Sequence, residues 1–154
     1  MSKTLPFSRH AQATQARQAK GALLPMPRAT ADELALRVHL ALDTLRRGKG
    51  SAQDAQALTQ ALILSGFLVD LNYGKLMPDQ VRTADALIAA CFSHGREAGE
   101  WQLADEGVDA FMLIVSLYDW QLHSAPLWAV AEASDRLDRF TAGDTMAAGQ
   151  RKRA

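Results

Sequence analysis

VDAFMLIVSLYDWQL, residues 108–122, decides the fold class of this chain. At the 3.6-residue period of an α-helix it presents two apolar bands. Val108, Phe111, Val115, Tyr118 and Leu122 form one; Leu113, Leu117 and Trp120 form the other, roughly opposite. A surface helix needs one stripe, so apolar residues on both sides predict a helix covered twice, by its own fold or by a partner. The stretch is too short to span a bilayer and holds Asp109 and Asp119, so it is expected as the central core helix of a chain with no membrane segment.

Toward the C-terminus, Leu127, Val130, Ala133, Leu137 and Phe140 predict a last helix beginning near Pro126 and stopping at Gly143. Toward the N-terminus, Pro78 opens a helix lined by Val81, Ala84, Ile88, Cys91, Phe92 and Gly95, ending near Gly99. Residues 100–103 read as an extended connector, and Asp105 as the cap of the central helix. Ser51 caps a further helix running to about Asn72, with Leu58, Ala61, Leu62, Leu68 and Val69 on its main face. Residues 30–33 (TADE) have the form of a capping box for a helix that ends at Gly48. No strand pattern appears. The expectation is an all-α protein, an irregular bundle of about five helices.

The ends differ from the body in charge. Residues 1–29 carry Lys3, Arg9, Arg17, Lys20 and Arg28 with no acid; residues 143–154 carry three cations against Asp144; the body between them has a net charge of −7. Residues 1–29 are read as a mobile basic arm followed by a strap at residues 23–27, residues 30–142 as the helical domain, and residues 143–154 as a polar basic tail. Residues 8–20 are good helix formers without a large apolar stripe, so they are expected to order only on a partner. A single cysteine and the lack of an N-terminal apolar segment suit the cytoplasm.

Four groups of residues could carry function. Trp120 and Trp128 fall away from the main stripes of their helices, as does the pair Ile63 and Phe67; large apolar groups so placed suit packing within the chain or contact with a protein partner or a second copy in a homodimer. Arg46, Arg47 and Lys49 surround a turn leading to Ser51 at a helix N-terminus, the chemistry of an anion or nucleic-acid contact. It is not a Walker loop, because a helix precedes it and the first glycine is absent. An ordinary charged helix–helix turn is the plainer reading. Cys91, His94 and Glu97 share helical spacing but lack a completing set, so no metal is expected. His123 stands four residues after Asp119 with no nucleophile in evidence, so neither catalysis nor a cofactor is expected.

The segments PMP at residues 25–27, the helix at residues 34–42, RRGKG at residues 46–50, GEWQL at residues 99–103 and RLDRF at residues 136–140 give the chain a resemblance to small uncharacterised proteins of proteobacterial plasmids and integrative elements. Some of these are labelled Fis-like regulators. That label implies a C-terminal helix-turn-helix, whereas the last helix here holds Glu132, Asp135 and Asp138, a poor surface for phosphates. The resemblance implies a bacterial accessory or regulatory setting and supplies no active site. The expected function is a non-enzymatic one, binding a macromolecular partner. The alternative is a nucleic-acid-associated regulator using the basic arms and the turn at residues 46–49.

Overall fold

The apolar stripes become helices in the computed structural model, which describes the backbone of residues 6–151 and the side chains of residues 12–143. Lys3, Lys152 and Arg153 of the two basic ends lie outside the described residues. The order is α1 (Pro6–Leu23), α2 (Arg28–Arg46), α3 (Ala52–Asp70), α4 (Pro78–Ala98), α5 (Asp105–Ser124) and α6 (Leu127–Arg151). The described residues contain no β-strand; one isolated antiparallel bridge sets Pro25 opposite Pro126. No helix among them is long and apolar enough to cross a membrane.

α5 lies against α2, α3 and α4, and α6 covers the far side of α3. Val108, Phe111, Ile114, Val115, Tyr118 and Leu122 of α5 are buried, meeting Leu45 of α2, Leu58 and Leu68 of α3 and Ile88 of α4 in one core. Full burial of an aliphatic or aromatic side chain contributes about 1.5–3 kcal/mol relative to leaving it in water, so this face dominates the fold. The second band of α5 is not buried. Leu117 is half-covered, while Leu113 is 60% and Trp120 50% exposed. The expected double covering is therefore corrected to single covering by this chain.

Ser51 caps α3 as its sequence suggests, accepting from the Asp54 N–H while the Asp54 carboxylate accepts from the Ser51 N–H at 2.9 Å. Pro78 opens α4, and Gly99, left-handed at φ 73°, closes it. Residues 100–103 are extended and paired to the α2–α3 turn: Gly50 N–H donates to the Trp101 carbonyl and Leu103 N–H to the Leu45 carbonyl. Trp101 packs edge-on to Phe92 and lies so close to Gly95 that an added Cβ would stand 2.3 Å from the ring. The two residues fit only because Gly95 has no side chain.

Several features differ from expectation: Asp105 is the first residue of α5 rather than its cap, Ala104 standing at the cap position without a side-chain hydrogen bond. α2 begins at Arg28, with extended Pro27 before it, so Thr30 sits inside the helix and makes no capping box. Proline's fixed φ prepares the chain to turn into a helix, and Ala31 N–H already bonds the Pro27 carbonyl. α6 continues through Gly143 and Gly149 to Arg151, because each glycine costs only about 1 kcal/mol relative to alanine in a helix. Among the described residues the helices number six rather than about five, since residues expected as an arm form α1. α1 packs chiefly on α6, and residues 12–21 are all exposed, as the absence of an apolar stripe requires.

Candidate partner-binding edge

Asn72 and Gly74 both take left-handed backbone, at φ 72° and 93°, to reverse the chain after α3. This turn is fastened from beneath by Gln121, a fully buried residue of α5. Its Nε2 donates to the Ser65 carbonyl at 3.1 Å and to the Tyr73 carbonyl at 2.8 Å. A buried side-chain amide engaging two backbone carbonyls fixes the turn on α5 with little freedom. Nothing in the spacing of α5 marks Gln121 as more than a polar residue in an apolar run; a polar residue beside two core positions was the available signal.

Trp120 and Trp128 stand on either side of that turn. A Cβ added at Gly74 would lie 3.5 Å from the Trp120 ring, and Trp128 meets Tyr73 edge-on with centroids 6.4 Å apart. Trp128 is 40% exposed. The edge continues through Leu127, whose N–H donates to the Leu24 carbonyl at 2.8 Å, and both leucine side chains face solvent. Met77, after the turn, is exposed as well. The two tryptophans singled out from sequence thus both stand beside the turn that Gln121 holds. Beside Trp128, a shallow hollow on α6 is lined by Ala131, Glu132, Asp135, Asp138 and Arg139.

Ile63 and Phe67 lie elsewhere, on the side of α3 that α6 covers. The Arg136 guanidinium sits over the Phe67 ring at 4.1 Å while bonding Asp70 at 3.0 Å, and Phe140 meets Phe67 edge-on at 6.4 Å. Their second contact is within the chain. Ile63 shares a small hollow with Phe92, Leu137 and Phe140.

At the α2–α3 turn, Asp43 binds Arg46 at 2.7 Å and Arg47 at 3.0 Å. The hydrogen bond from Arg46 holds the Asp43 carboxyl below its ordinary range, helped by the charge of Arg47 and opposed by desolvation. Lys49 is exposed. The backbone N–H groups of Gly48, Lys49 and Gly50 donate to the carbonyls of Leu45, Thr44 and Trp101, and that of Ser51 to Asp54. A cradle for an anion needs free N–H groups, and these four are occupied.

His123 does lie beside Asp119, with Nδ1 3.0 Å from the carboxylate and 2.8 Å from the Asp119 carbonyl. Its Nε2 meets Asp32 of α2 at 2.7 Å, and His39 of α2 meets the other oxygen of Asp119 at 3.0 Å. The backbone carbonyl of Asp119 and the Asp32 carboxylate raise the His123 pKa above its ordinary value. With both ring nitrogens engaged, the group ties the N-terminal half of α2 to the end of α5. Cys91 is buried, which pushes its thiol pKa up, and His94 turns to Glu100 at 3.7 Å. No three described residues are placed to hold a metal ion.

Comparison with protein-family models, with curated proteins and with solved structures gave no match.

Proposed function

We propose that this chain is a cytoplasmic, non-enzymatic accessory or regulatory protein that binds a protein partner through the edge formed by Trp120, Trp128 and the turn between them. One observation carries the reading: two large aromatics, 50% and 40% exposed, flank a turn that buried Gln121 locks in place. Rigid, exposed aromatic groups contribute most to interfaces because they bury much area while losing little conformational freedom. Leu113 and Met112 extend the exposed apolar surface along α5, enough to suit a second copy of the chain as well as a different protein.

The nucleic-acid alternative would use Arg46, Arg47, Lys49, Ser51 and the basic helix α1. The exposure of Arg17 and Lys20 supports it; the pairing of Arg46 and Arg47 with Asp43 weighs against it.

Affinity capture from host extract with the intact chain separates the two. Trp120→Ala with Trp128→Ala should lose the partner, whereas replacing Arg46, Arg47 and Lys49 by Ala should keep it. Retention by the tryptophan variant, together with salt-sensitive binding of DNA or RNA that the triple variant loses, would overturn the proposal in favour of the alternative.

A further inference from the structure

The basic helix α1 and the hollow beside Trp128 belong to the two elements that meet at the Pro25–Pro126 bridge. α1 arrives at that bridge and α6 leaves it, so the two helices extend to the same side in antiparallel sense. Both helices rise 1.5 Å per residue, so wherever they lie side by side the register fixed at the bridge is carried outward. Lys20 precedes Pro25 by as many residues as Ala131 follows Pro126, so with the two helices lying side by side it would stand next to Glu132. Arg17 falls by the same rule opposite Ser134, next to Asp135. Before the two cations in sequence, Ala13 and Ala16 lie on the same side of α1, small enough for close helix approach.

Neither pair is made in the structure. Among the described residues, Arg17 and Lys20 form no ion pair, and neither do Glu132, Asp135 and Asp138. A helix in contact with its fold chiefly through α6, and with residues 12–21 all exposed, is marginal in water, which favours closer docking on a complementary surface nearby. The tether supplies the occupant, because a segment attached at the edge of a site is present at high effective concentration.

We infer that α1 is a strap that folds about residues 23–24 onto its own α6, setting Lys20 against Glu132 and Arg17 against Asp135 and covering the Trp128 hollow. Arg139, also on this edge, opposes the approach, so the closure is of modest strength and sensitive to salt. That the strap competes with a partner for Trp128 rests on the function proposed above; the closure itself does not.

The test uses the full chain with Ala13→Cys and Asp138→Cys, residues that the bridge register places opposite one another. Cys91 is buried, away from mild oxidant. The expected product is an internally cross-linked monomer, formed faster than from Gln15→Cys with Asp138→Cys, where the thiol is on the opposite side of α1. Adding Arg17→Glu and Lys20→Glu should slow it about three- to tenfold, the scale set by two exposed ion pairs. Adding Glu132→Lys and Asp135→Lys to those should restore it. Because cross-linking is read on the chain alone, its failure and loss of partner capture are separate results. Equal rates for the two cysteine pairs, indifference to charge reversal, or a covalent dimer as the product would each overturn the strap.

Discussion

α5 carries Phe111, Val115 and Leu122 on one face and Leu113, Leu117 and Trp120 on the other, and both sets read as apolar stripes at helical spacing. The first set is buried under α2, α3 and α4; of the second, Leu117 is half-covered and the other two face solvent. α3 shows the opposite outcome for its own second set, since Phe67 lies under Arg136 and against Phe140 of α6. Composition alone does not distinguish the two cases. What differs is whether a later helix brings matching groups, and α6 brings them to α3 while no described element brings them to the outer face of α5. An uncovered apolar face on a rigid helix is the surface on which a partner gains most.

Substitutions should separate the faces in order of size. Val115→Asp, on the covered face, places an unpaired carboxylate in the core and should cost on the order of 4–5 kcal/mol or more, preventing folding. A purified variant that melts like the parent would break the assignment of this face. Gly95→Ala forces a methyl into the Trp101 ring and should cost about 1–3 kcal/mol in thermal denaturation; an unchanged melt would show the ring free to move. Phe67→Ala removes the contacts to Arg136 and Phe140 and should also cost about 1–3 kcal/mol, yet leave partner capture intact.

The smallest effect is a pH dependence at the tie between α2 and α5. His123 has its folded pKa raised above 6.5 by the Asp119 carbonyl and the Asp32 carboxylate. A group raised in this way stabilises the fold fully below its unfolded pKa, and that contribution disappears as pH rises through the folded value. The melting temperature of the parent should therefore fall across that window relative to His123→Gln, which lacks the titrating group. A parent and variant that track each other across the window would show that the tie adds no stability.

Much of the helical order was legible because local chemistry dictates it. Ser51 with Asp54, Pro78 and Gly99 act within one turn of chain, and the stripe of Val108, Phe111, Val115, Tyr118 and Leu122 needs only its own periodicity. The start of α2 is hidden because TADE at residues 30–33 imitates a cap, while Pro27 sets the helix three residues before Thr30. α6 passed its expected stop because Gly143 is only mildly unfavourable in a helix. The site was harder to read. Trp120 and Trp128 stand out singly, but their placement beside one turn depends on Tyr73 and Gly74, far away in sequence, and on Gln121 holding it. The pairing of Asp43 with both Arg46 and Arg47 is local, and was available as a carboxylate one turn before two arginines.

The central claim is that the outer edge binds while the inner face folds. Trp120→Ala with Trp128→Ala in one chain puts both halves in a single comparison, read by thermal melting and by partner capture against the parent. The account predicts a stability loss of no more than about 1–2 kcal/mol, since both rings are 40–50% exposed, together with abolished capture. Undiminished capture by a folded double variant would contradict it.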